Sequence, residues 1–206
     1  MLGDLAAWVQ DIIESLGYVG VAMLVVIENL FPPIPSEIVL PFAGFVAQRG
    51  DASVVVMVVA ATIGSVVGAL VLYGVSAAIG PERLRRIVER FGRFLGVSPA
   101  DLRRAEEWFD RRAAIAVFAG RCVPIIRSVV SVPAGFRRMT LVPFVLYTAL
   151  GSAIWNVALI GAGAVLGDQW ERVEAYVGYL QWVVILVAVY FLVRFVMRVV
   201  RTVRAR

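Results

Sequence analysis

Residues 17–47 contain two apolar arms, each too short to cross a bilayer, joined by a stretch that no continuous helix can traverse. The first arm reads GYVGVAMLVVI and the second runs from Ile38 to Ala47. Between them stand Glu28-Asn29, the cluster Pro32-Pro33-Ile34-Pro35, and Ser36-Glu37. Arms of about ten to twelve residues span roughly 15–18 Å at a helical rise of 1.5 Å per residue. The hydrocarbon core of a bilayer is about 30 Å thick. Each proline lacks an N–H and its ring collides with the preceding turn, so the prolines end the helix. The spacing predicts a re-entrant hairpin over 17–50 with its tip at Pro33 and Pro35. Irregular backbone at membrane depth is tolerated only where protein buries it or where it lines water. A full span at 12–31 followed by a short loop is the rival reading.

The pattern recurs at residues 113–137, where AAIAVFAGRCVPIIRSVVSVPAGFR carries Arg121 and Arg127 on either side of Pro124. One spanning helix here would put two arginines in hydrocarbon at a cost of roughly 5–7 kcal/mol on insertion scales. Pro124 and Pro133 would also kink it. A second re-entrant hairpin, its tip running from Arg121 to Arg127, is cheaper. Glu28, Glu37, Arg121 and Arg127 therefore become the candidate site, because ionisable groups at such depth face a cavity, pair with one another, or bind substrate.

The rest of the chain fits a membrane setting. Of its 206 residues 61% are hydrophobic, well above the roughly 45–50% usual for a soluble domain. Residues 52–80, 139–167 and 177–200 read as long transmembrane helices. Residues 1–16 place Leu2, Leu5, Trp8, Val9, Ile12, Ile13 and Leu16 on one helical face, with Asp4, Gln10, Asp11 and Glu14 on the other. That pattern predicts an amphipathic helix on the membrane surface or packed on a neighbouring helix. These acids, and the lack of a basic n-region, argue against a cleaved signal peptide. Residues 81–112 read as short amphipathic helices at the cytoplasmic surface, the second opened by Ser98-Pro99-Ala100-Asp101. Six acids dilute nine arginines there, which disfavours nucleic acid as a partner.

Arginine placement orients the chain. Sixteen of the twenty arginines fall in 81–112, at Arg137 and Arg138, or in the C-terminal tail. The positive-inside rule makes that side, and the C-terminus, cytoplasmic. The two hairpins then enter from opposite faces. Set 91 residues apart, Pro33 falls on Pro124 and Ala43-Gly44-Phe45 on Ala134-Gly135-Phe136. The expected fold is an all-α integral membrane protein of a single domain, an inverted repeat of two opposed re-entrant helical hairpins. Such repeats place a transport site at the midplane.

The chemistry of the four charges divides naturally. Arginine offers a planar multi-donor fork suited to a phosphate head. The chain has no His, so coupling to protons would fall to Glu28 and Glu37. Two alternatives stay open: structural ion pairs holding the tips together, and a proton-coupled transporter of small cations or solutes in which the arginines are structural. A lipid-modifying enzyme is disfavoured, since the tips lack His and a Cys-x5-Arg spacing. With Cys122 the only cysteine, no cysteine-rich metal site is expected, and no cofactor.

These residues resemble the DedA family of bacterial membrane proteins, related to the VTT-domain proteins. The resemblance rests on Glu28-Asn29-x-x-Pro32-x-x-Pro35-Ser36-Glu37, Ala43-Gly44, Gly64-x-x-x-Gly68, Tyr73 and Gly80. It continues through Gly120-Arg121-x-x-Pro124-x-x-Arg127 and Pro133-Ala134-Gly135 to Met139, Gly151 and Trp155. It implies two opposed hairpins and activity dependent on Glu28, Glu37, Arg121 and Arg127. It also implies a multi-pass protein of the bacterial cytoplasmic membrane that moves a lipid between leaflets. The lipid would be undecaprenyl phosphate or another anionic phospholipid, driven by the proton motive force. Homo-oligomerisation is left open. Two departures stand out: Ala69 where relatives often carry Asp, and Ser36 where Gly is common.

Overall fold

A computed structural model describes residues 2–31, 36–50, 52–83, 86, 99–123 and 126–166. Every element among them is helical: α1 Leu2–Leu30, α2 Ser36–Arg49, α3 Val54–Ile79, α4 Pro99–Arg121, α5 Ile126–Val129, α6 Ser131–Phe136 and α7 Leu141–Leu166. The expected hairpin tips at Pro33, Pro35 and Pro124 lie outside the described residues. So do the span at 177–200 and most of the arginine-rich stretch before Pro99.

Among the described residues two helices, α3 and α7, are long and apolar enough to cross a membrane, each with 26 residues. At 1.5 Å per residue that is about 39 Å, more than a hydrocarbon core requires. On α3 the residues Val55, Val59, Ile63, Val67, Val71 and Val75 are all exposed. A four-residue spacing puts them in one aliphatic row, as a lipid-facing stripe demands.

The first helix is two pieces. Gly17 has φ 54° and ψ −126°, a conformation open essentially to glycine alone. The chain folds back there, so that a Cβ on Gly20 would lie 2.6 Å from the carbonyl oxygen of Ile12. The N-terminal piece thereby buries Val9 and Ile13 in the same apolar cluster as Val21, Leu24 and Val25. The centre of the amphipathic face read from the sequence is turned inward, onto its neighbours, while Trp8 and Leu16 at its edges are exposed. A similar break divides α4 at Arg112, with φ −136° and ψ 24°.

Glycines set the helix packing. Gly64 admits the backbone of Ala22, and a Cβ on Gly68 would lie 2.7 Å from the Cβ of Asn29, so the small-residue face of α3 receives the second half of α1. Gly44 of α2 lies against Ile160, and Gly163 of α7 against Pro41. Gly135 of α6 lies against Tyr73 of α3, while Gly151 of α7 receives Phe118 and Arg121 of α4. Each long apolar helix thus carries one helix from the first half of the chain and one from the second.

Two apolar clusters result. One joins α1 and α2 to Met57, Ala61 and Ile160. The other joins Ala69, Phe109, Val117, Val130, Ala134 and Phe144. Tyr73 and Phe144 stack with ring centroids 4.9 Å apart, and Asn156 Nδ2 donates to Thr62 Oγ1 at 3.1 Å. Residues 73 and 144 meet near one end and 62 and 156 nearer the other, so α3 and α7 run antiparallel. Between the clusters lies a polar layer.

Candidate functional site

The polar layer sits near the middle of both long helices. Asn29 packs on Gly68 and Arg121 on Gly151, each within a turn of the midpoint of its helix. Glu28 comes from the end of α1, Arg121 from the end of α4 and Arg127 from α5. All three are buried, at 4%, 1% and 2% exposure. The acid and the arginine fork that the sequence placed in separate segments are brought together: Arg127 Nη2 stands 3.7 Å from Glu28 Oε1.

The two arginines are held differently. Arg121 Nη1 donates to Asn29 Oδ1 at 3.2 Å, and its Nη2 donates to Ser131 Oγ at 2.6 Å. Asn29 is fixed in turn, its Nδ2 donating to the Val25 carbonyl at 2.9 Å. Arg121 therefore bridges α1, α4 and α6. Arg127 has no such frame: its Nε, Nη1 and Nη2 make no hydrogen bond among the described residues, and neither does Glu28 Oε2. A buried polar group left unbonded costs about 1–3 kcal/mol, more when charged. Among the described residues the Arg127 side chain makes one ion pair, the longer contact with Glu28, and no hydrogen bond.

Glu37, in the first turn of α2, is half-buried and accepts a hydrogen bond from Ser36 Oγ at 3.3 Å. It lies close enough to interact electrostatically with Glu28. Cys122 is half-buried, and its thiol donates to the carbonyls of Phe118 and Gly151 at 3.7 Å. Ala69 is fully buried within the second apolar cluster. Among the described residues no three His, Cys, Asp or Glu side chains gather into a set that could hold a metal ion. Farther from this layer, Arg137 pairs with Asp110 through two hydrogen bonds, tying the end of α6 to α4.

Sequence reasoning missed the partners. Asn29 stood in a motif without a role, and Ser131 had none. The buried polar residues Thr148, Ser152 and Asn156 of α7 also went unread. Their four-residue spacing within an apolar span was the available signal.

Comparison with known proteins gives the family. The VTT domain matches residues 34–165. The chain belongs to the VTT-domain, or DedA, family. An alkaline phosphatase-like protein of Lactococcus lactis subsp. cremoris is 45% identical over 88% of this chain and 86% of its own length. The undecaprenyl phosphate transporter A of Staphylococcus aureus is 34% identical, covering 91% of this chain and 95% of the relative. That of Bacillus subtilis is 30% identical over 94% and 96%. No solved structure matches. With two bilayer-length apolar helices and this family, the chain is a bacterial membrane protein.

Proposed function

We propose that this protein is a lipid translocase of the bacterial cytoplasmic membrane that carries undecaprenyl phosphate, or another anionic phospholipid, between leaflets under the proton motive force. The observation that carries the reading is Arg127: a buried guanidinium with three unbonded nitrogens, beside one carboxylate, at mid-height of two long apolar helices. The name undecaprenyl phosphate transporter A on two relatives that match nearly end to end supports it. Arg127 receives the phosphate, and Arg121 shapes the cradle through Asn29 and Ser131.

Coupling follows from competition for one cation. Glu28 and the lipid phosphate are both anions that Arg127 can face. A proton taken up by Glu28 removes its charge, releases Arg127, and lets the phosphate take its place. Loss of that proton restores the ion pair and expels the phosphate. Glu37, at the start of α2, is the second carboxylate in this exchange.

The fold we infer is multi-pass with a cytoplasmic C-terminus, built as an inverted repeat of two re-entrant hairpins. The packing supports it. Gly44 lies on α7 and Gly135, its counterpart 91 residues on, lies on α3. The first arms pair the other way, α1 on α3 and α4 on α7. Exchanging the halves of the chain leaves that scheme unchanged.

The test is lipid movement in reconstituted vesicles with an imposed proton gradient. The protein should accelerate transfer of undecaprenyl phosphate, and Arg127→Ala should abolish it. Rates equal to protein-free vesicles would reject the proposal. Phosphate release from the lipid would instead favour chemistry of the kind the Lactococcus relative's name suggests. Ion flux without lipid movement would favour the small-cation reading, for which the hydrogen bonds of Arg121 to Asn29 and Ser131 speak.

A further inference from the structure

Thr148, Ser152 and Asn156 follow one another at four-residue intervals along α7, each at most 1% exposed. They lie between Phe144 at one end and Ile160 at the other, both fully buried. Thr148 Oγ1, Ser152 Oγ and Asn156 Oδ1 have no hydrogen-bond partner among the described residues. Hydroxyls in a helix ordinarily return their proton to the carbonyl four residues back. On the facing helix they do: Thr62 donates to Val58 and Ser65 to Ala61. Thr148 and Ser152 do not. Three consecutive polar groups on one stripe thus present unused capacity to the seam between α3 and α7.

The chemistry of the seam selects the ligand. Neither α3 nor α7 carries an acidic residue, and Arg121 packs on Gly151, next to Ser152. A cation would meet the Arg121 guanidinium, with no carboxylate on either helix to offset it. An anion would find Arg127 the better host. A small neutral donor and acceptor is left, which is water. The spacing agrees, because four residues of helix advance about 6 Å. Two hydrogen bonds of about 2.8 Å each through one water span at most about 5.6 Å, within reach of side chains that lean toward one another. Buried waters typically make about three bonds to otherwise unpaired polar groups.

We propose that the seam between α3 and α7 is a water-binding site: a short file of ordered waters bridging Thr148, Ser152 and Asn156, closed by Phe144 and Ile160. It rests on no assumption about the transported substance. It gives the mid-membrane arginines an internal source of hydration beside them.

The test uses the full chain in lipid nanodiscs and two variants of nearly unchanged volume, Thr148→Val and Ser152→Ala. X-ray radiolysis converts bound water to hydroxyl radical in place, so a buried aromatic beside it is oxidised despite its burial. Phe144 should be labelled in the unmodified protein, and severalfold less in the double variant. Thr148→Val should also lower Tm, because the water loses a partner. A Tm raised by Thr148→Val, as expected on deleting an unbonded hydroxyl, would overturn the proposal. So would Phe144 labelling that the double variant leaves unchanged.

Discussion

Arg127 Nη2 and Glu28 Oε1 stand 3.7 Å apart in the buried polar layer, and the fork of Arg127 is otherwise unbonded. That relationship makes the carboxylate a competitor of any anionic ligand. Glu28→Gln removes the competing charge while keeping the shape. Vesicle-bound protein carrying it should bind lipid phosphate more tightly than the unmodified protein at neutral pH. The unmodified protein should approach the variant as pH falls and Glu28 takes up a proton. Titrating a fluorescent lipid phosphate across pH checks this, and a variant that retains the original pH dependence would contradict it.

Arg121 and Arg127 should fail differently. Arg121→Ala strips hydrogen-bond partners from Asn29 and Ser131, each loss costing about 1–3 kcal/mol, so thermal stability in detergent should drop clearly. Arg127→Ala removes a guanidinium with no hydrogen bond and leaves Glu28 to take up a proton in place of its ion pair, so stability should fall less than for Arg121→Ala while lipid movement is lost. Parallel melting curves and transport assays decide it. Equal destabilisation by both would show that Arg127 is structural.

Gly44 and Gly135 occupy matching places in the two halves. A methyl at Gly44 would collide with the Ile160 carbonyl, and at Gly135 with the Tyr73 carbonyl. Overpacking of this kind costs about 1–3 kcal/mol. Both Gly→Ala variants should lose stability by similar amounts. Gly161→Ala, where a methyl meets nothing within 4 Å, is the control and should change nothing or stabilise. Melting temperatures of the three are the measurement.

Gly17 has open space around it but a positive φ. Gly17→Ala should strain the fold-back by about 1–3 kcal/mol without a clash. The N-terminal piece, with Val9 and Ile13, should detach more readily from the first apolar cluster. Hydrogen exchange over residues 2–16 should rise while that of α3 and α7 stays the same. Unchanged protection of 2–16 would show that the turn tolerates a side chain.

Topology separates the opposed hairpins from a full first span. Reporter fusions after residues 50, 97, 137 and 172 should read outside, inside, inside and outside. An inside signal at 137 together with a cytoplasmic N-terminus would support the full span.

Local sequence determined a good deal of this protein. Prolines and short arms break the chain at 28–37 and 121–127. Uninterrupted apolar residues make α3 and α7, and the Gly64-x-x-x-Gly68 face was legible as a contact surface. These are properties of neighbouring residues, set by helix geometry and the expense of charge in hydrocarbon. The same expense marked Glu28, Glu37, Arg121 and Arg127 as the residues to examine.

Only the tertiary structure decided what those charges meet. Glu28 and Arg127 lie 99 positions apart in the chain, and nothing local specifies that they approach. The approach follows from Gly68 and Gly151, which let Asn29 and Arg121 reach the middle of the two long helices. Nor could the sequence distinguish two arginines flanking one proline. Arg121 is engaged because Asn29 and Ser131 converge on it from other helices, whereas Arg127 makes no side-chain hydrogen bond among the described residues and faces the Glu28 carboxylate. Which hydrogen bonds a buried fork makes is set by the packing around it, and the difference between a frame and a binding site follows from that.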